Sequence, residues 1–363
     1  MSIVMGAPRR SGFGGLLNVR CGSSACQRMH AILESVLRRQ LSMTGAVFRG
    51  VFARLHRKAA WARASREEAG NCFLERNVGL GQCCDRGEMS VQLRIGYEFV
   101  YECPRPTPML LMLNVHPSRA SDLVVPDQLA TDPPIPVSSY CDGFGNRCSR
   151  IVAPTGRLRL SANGIVDDSG EPDVVPRGAS QRVVEDLPDD VLVFLLPSRY
   201  CETDQLSDIA WSLFGKTTLG SDRVQAICDY VHEHISFGYE HACATRSAWQ
   251  AHRDHAGVCR DFAHLAIAFC RCLNIPARYC TGYLGDIGVP ASDLAMDFSA
   301  WFEAYLDDAW YTFDARHNVP RIGRVLIARG RDAADVAITT AFGPNRLSSL
   351  MVQTQEVLSA RPH

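Results

Sequence analysis

The sequence predicts an α+β fold, in which a strand-rich half is followed by helices and then by antiparallel strands. Three patterns carry this. From residue 91 to 160 apolar and polar residues alternate in short runs broken by Pro and Gly. From 203 to 273 the apolar residues recur at helical spacing. From 277 to 314 strand-like runs return. Blocks of strands and blocks of helices, rather than a strict alternation of the two, mark α+β organisation.

Val91, Leu93, Ile95, Tyr97, Phe99 and Tyr101 alternate with Gln92, Arg94, Gly96 and Glu98, the pattern of a half-buried strand. Met109 to Val115, Arg147 to Val152 and Arg157 to Leu160 are further strand candidates, with Asp142-Gly143 and Asn163-Gly164 as turn signals. Together they predict a β-sandwich. Thr203 caps a helix carrying Leu206, Ile209, Ala210 and Leu213, and Ser221 and Asp222 open a second. In the second, Val224, Ile227, Cys228, Val231 and Ile235 form one apolar stripe. A short helix follows Thr245. A longer one runs from Cys259 to about Leu273, with Phe262, Leu265, Ala266, Phe269 and Leu273 inward, and Asn274 and Pro276 stop it. Strands are expected at Ala277–Tyr283, Ala300–Leu306 and Trp310–Asp314, with Asp307-Asp308 as the tight turn between the last two.

The net charge of −1 is unevenly spread: residues 1–66 hold 12 Lys/Arg and a single acid, Glu34, against 26 Lys/Arg and 38 Asp/Glu in the remainder. The acidic remainder does not suit nucleic acid. The longest apolar runs, such as Val191 to Leu196, fall far short of the ~20 residues a membrane helix needs, and no secretory leader is recognisable. A cytoplasmic location is therefore expected, with the 15 cysteines as reduced thiols. Residues 1–88 are expected as a basic, unstructured extension. An interaction tail, an Arg-rich transit peptide and translation from a start upstream of Met89 are the competing explanations, and the strand opening directly after Met89 favours the third. The remaining boundaries are a β-sandwich-like domain at 89–165, an Asp/Pro/Gly-rich linker at 166–199, a core domain at 200–343 and a C-terminal tail at 344–363.

The string Gly257-Val258-Cys259-Arg260-Asp261-Phe262 delivers a thiol to the first turn of a long amphipathic helix. Unpaired N–H groups and partial positive charge at a helix start favour thiolate and can hold an oxyanion. Arg260 adds positive charge nearby. Cys228, Cys270 and Cys280 lie in apolar patterns, where inert packing is the plainer reading. A thiol nucleophile needs an imidazole as base and a carboxylate or carboxamide to orient it. The hairpin from Phe298 to Asp314 can set position 299 beside Asp314. Among the histidines, His317 reads as a surface-loop residue, His264 points elsewhere on its helix, and His252 and His255 face solvent. His232 and His234, two apart, fall on different faces of a helix, so no zinc site is expected. Cofactor loops and calcium loops are not recognisable either, and neither a cofactor nor a metal is expected.

GVCRDFAHLAIAFCRCLNIPARYCTGYL, AWFEAYL, WYTFDARHN and GRDAADVA together resemble the transglutaminase-like superfamily in its bacterial form, over roughly residues 200–343. The resemblance implies a papain-like core, with helices packed on an antiparallel sheet, behind a small β-sandwich. It implies Cys259 as nucleophile and Asp314 as the group orienting the base. The family's histidine falls on Ser299, whose hydroxyl cannot act as a base near neutral pH. Loss of one member of such a triad commonly costs about 10³ to 10⁶ in rate. The expectation is a cysteine hydrolase or acyl transferase acting on peptide or glutamine-type amides, with Cys259, Ser299 and Asp314 at the site. The alternative is a non-catalytic module that keeps the cleft to bind a peptide. The expected partner is a protein or peptide substrate, with no nucleic acid and no membrane.

Overall fold

The computed structural model describes residues 3–5, 90–292 and 295–357. Most of the expected basic extension (residues 1–2 and 6–88) lies outside the described residues. In chain order the strands and helices begin with β1 (Ile3–Met5), β2 (Val91–Cys103), β3 (Thr107–Leu111), β4 (Leu123–Val125), β5 (Ala130–Asp132), β6 (Ser138–Cys141), β7 (Arg147–Ala153) and β8 (Gly156–Asp168). The helical half contains α1 (Thr203–Phe214), α2 (Ser221–His234), β9 (Ser236–Phe237), α3 (Ala248–Asp254), β10 (Ala256–Gly257) and α4 (Cys259–Cys272). The chain closes with β11 (Ala277–Leu284), β12 (Ser299–Leu306), β13 (Ala309–Phe313), β14 (Arg324–Gly330), β15 (Thr339–Ala341) and β16 (Arg346–Glu356).

Two sheets make the strand-rich half. One runs β16-β2-β8-β4, with β5 also on β8, and the other runs β1-β15-β3-β7-β6. The alternation in β2 buries Leu93, Ile95, Tyr97, Phe99 and Tyr101, as its period demands. Each sheet takes a strand from beyond residue 165. The segment expected as a C-terminal tail supplies β16, antiparallel to β2 from Arg346↔Glu102 to Glu356↔Leu93, and buries Val352 and Thr354. β15 pairs with β3. These strands return to cover what would otherwise be exposed edges. The expected turn at Asn163-Gly164 is also corrected, because both residues lie inside β8. A Cβ at Gly164 would sit 3.1 Å from the Val125 carbonyl oxygen, so close approach of β4, not chain reversal, explains the glycine. At Asp142-Gly143 the turn is real, and Asp142 Oδ1 accepts from the N–H groups of Phe144 and Asn146.

The second half is built around α4, every residue of which is buried. One side packs on β11 and β12, and α1, α2 and α3 cover the other. The four-stranded sheet runs β13-β12-β11-β14, antiparallel at each of its pairings. Asp307 and Asp308, both with positive φ (44° and 62°), make the tight β12–β13 turn. The segment expected as a free linker is fastened to this half, since Asp173 accepts from Arg324 Nε at 2.7 Å and from the Arg321 N–H at 2.9 Å. The described residues fall into one compact unit. None of their helices is long and apolar enough to cross a membrane.

Candidate active site

The thiol's position follows from local chemistry. His255, in the left-handed region at φ 53°, ends α3. β10 pairs briefly with β9, and extended Val258 leads into Cys259 at the first position of α4. Asp261 Oδ2 accepts the Val258 N–H at 2.9 Å, fixing the helix start. A Cβ at Gly257 would fall 2.7 Å from the Asp261 Cβ, so this helix cap requires glycine. Arg260 does not serve the thiol as a free charge. Its guanidinium is buried, bonds Asp261 Oδ1 at 3.1 Å, donates to the carbonyls of Cys243 and Ala244, and lies over the Tyr200 ring.

Cys259, Ser299, Thr281, Phe298 and Ala300 line one narrow cleft, whose other walls include Val336 and Ile338. Burial pushes the Cys259 thiol above its ordinary value. Arg316 and a hydrogen bond from the Ala300 backbone pull it back in part, while Asp297 adds to the rise. The expectation that the helix start would favour thiolate is thus outweighed by desolvation. Ser299 opens β12 opposite Gly282, and its carbonyl accepts from Thr281 Oγ1 at 3.1 Å. The Ser299 hydroxyl, 5% exposed as a residue, has no hydrogen-bond partner among the described residues.

Asp314 follows β13, the neighbouring strand, and four donors converge on it. Oδ1 accepts the N–H groups of Arg316 and His317, both at 3.0 Å. Oδ2 accepts from His317 Nδ1 and Arg324 Nη2, both at 2.8 Å. Burial alone would raise this carboxyl, but the Arg324 guanidinium and His317 hold it well below the usual carboxylate range. Cys259 and Ser299 are therefore brought together, and Asp314 stands one strand away with other partners. The reading of His317 as a surface-loop residue is corrected. Its side chain is 21% exposed and rests on Asp314. The Asp-x-x-His spacing was the available signal, since a carboxylate at the start of a turn can collect both the backbone and the ring N–H three residues on.

Other histidines also differ from expectation. His252 stacks between His234 (4.5 Å) and Trp249 (6.1 Å) rather than facing solvent. His264 is fully buried, and its Nε2 accepts the Ala333 N–H at 3.1 Å. Burial, with Arg260 and Arg271 close by, drives its titration far down, so it is a neutral core residue.

A family model described as the transglutaminase-like superfamily matches residues 208–315. A solved structure of a candidate cysteine protease from Cytophaga hutchinsonii is 32% identical and covers 75% of this chain and 93% of its own, with a TM-score of 0.65. An uncharacterised protein of Mycobacterium leprae (strain TN) is 34% identical over 88 residues, which span 22% of this chain and 30% of that relative. Helices packed on an antiparallel sheet agree with these likenesses: the chain belongs to the transglutaminase-like superfamily.

Proposed function

We propose that this protein is a cysteine-dependent hydrolase or acyl transferase acting on peptide or glutamine-type amides, with Cys259 as nucleophile and His317, held by Asp314, as its base. The observation that carries the reading is the 2.8 Å bond from His317 Nδ1 to Asp314 Oδ2. The carboxylate that should orient an imidazole has one, supplied from the loop beyond β13 instead of from position 299. Donation from Nδ1 leaves Nε2 free to accept a proton. The same loop reaches the thiol electrostatically through Arg316. His317 is not among the residues lining the thiol cleft, so this reading requires Nε2 to come within hydrogen-bond reach of Sγ as substrate binds; it then takes the Sγ proton and the thiolate attacks the amide carbon. The N–H groups at the start of α4 stabilise the oxyanion. The imidazolium then protonates the departing amine, leaving a thioester for water or a second amine.

A second reading, a peptide-binding module without catalysis, is favoured by the raised thiol and by the absence of an imidazole from the residues lining its cleft. Alkylation of Cys259 by iodoacetamide between pH 5 and 9, together with release of ammonia or incorporation of a labelled amine using a glutamine-containing peptide, separates the two. The enzyme reading expects His317→Ala to cut turnover by about 10²- to 10⁴-fold and to depress alkylation near neutral pH, with Cys259→Ala abolishing both. Identical alkylation profiles with no turnover in either protein would leave the binding module.

A further inference from the structure

We propose that Ser299 is a positioning residue that holds the hydrolytic water at the Cys259 acyl-enzyme and so makes the site a hydrolase rather than a transferase. The inference rests on Cys259 forming a thioester, as proposed above. Ser299 is buried, lines the thiol cleft, and its Oγ has no protein partner among the described residues. A buried hydroxyl of this kind is normally satisfied by ordered water. Of the neighbouring polar groups, Thr281 Oγ1 is engaged with the Ser299 carbonyl and the Arg260 guanidinium with Asp261 and the carbonyls of Cys243 and Ala244. Phe298, Val336 and Ile338 are apolar and would not compete for that water.

The step balances without a further reactant. The Ser299-held water attacks the thioester carbonyl carbon and passes its proton to the base, the role that the reading above gives to His317 once it reaches the cleft. The C–S bond breaks, and the Cys259 thiolate leaves and recovers that proton from the imidazolium. The products are a carboxylic acid and free thiol. A serine thus occupies the place of the family's histidine with a role of its own, while the base comes from the loop.

Full-length protein acylated by p-nitrophenyl acetate tests this. The part of the nitrophenol burst that is lost in Cys259→Ala reads acylation of that thiol, since Cys141 and Cys243 are exposed and also react; the Cys259-dependent steady rate reads deacylation, and added hydroxylamine reads partition between an amine and water. Ser299→Ala should leave the burst unchanged, slow deacylation by water about tenfold, the effect of one lost positioning hydrogen bond, and raise the hydroxamate-to-acid ratio by a similar factor. That ratio does not depend on how much of the variant folds. Slowing of the burst and of deacylation by equal factors would overturn the proposal and place Ser299 in acylation instead. An unchanged product ratio with a normal burst would overturn it while leaving the thiol enzyme intact. A wild type with no Cys259-dependent burst would overturn both.

Discussion

Replacing Asp314 with alanine removes an acceptor shared by four donors at the junction of β13, β14 and the following loop. Its side chain is 3% exposed and that of Arg324 7%, so water does not compensate either group. Breaking a buried ion pair by deleting one partner typically costs about 3–5 kcal/mol. Arg324 keeps Asp173 at 2.7 Å, which places the expected loss near the lower end, about 3 kcal/mol. In a protein of this size that corresponds to roughly 5–10 °C in melting temperature. Asp314→Asn retains an oxygen for the two backbone N–H groups and should lose about half as much. The sign of the pH dependence follows from the depressed carboxyl. Its stabilisation is fully present above the unfolded value, about 3.9, and is lost as pH falls towards the folded one. Urea denaturation of wild type and variant should therefore show a constant gap between pH 7 and 5 that narrows below about pH 4. A loss under about 1 kcal/mol, or a gap that widens on acidification, would refute the buried-network account.

Four further outcomes are expected. Ser299→His enlarges a buried side chain between Thr281, Phe298 and Ala300, so a melting-point fall equivalent to about 1–3 kcal/mol is expected. Ending the chain at residue 344 should destabilise the protein by several kcal/mol, since β2 loses its partner over the length of β16, and circular dichroism melts of the two lengths check this. Arg271→Met should cost about 3–5 kcal/mol by urea denaturation, because its buried guanidinium serves the carbonyls of Leu196, Ala277 and Arg331 and the hydroxyl of Ser198. Gly282→Ala puts a Cβ 2.1 Å from the Val325 carbonyl oxygen, so the β11–β14 pairing should open and soluble yield should fall.

What the sequence by itself determined is what depends on neighbours a few residues away. The helix starting at Cys259, the glycine that lets Asp261 cap it, the Asp307-Asp308 turn and the alternation of β2 are all local patterns, and each lies where its period or turn chemistry puts it. Cys259 at a helix start was legible for the same reason, whereas Ser299 and Asp314 entered through the family resemblance, and the hairpin does not set them side by side as expected. The folded chain decided what depends on distant partners. The C-terminal segment has too little pattern of its own to announce a strand, and it becomes β16 because the β2 edge needs a partner. Asn163-Gly164 is a turn signal in isolation and a strand interior once β4 lies against it. Arg324 lies ten residues after Asp314, on a strand separated from β13 by two others in the sheet, so only the tertiary structure reveals their pairing. The same holds for the thiol. The helix start alone favours ionisation, but the depth of burial, a property of the whole packed core, reverses the balance because desolvation acts on every charge regardless of its position in the chain.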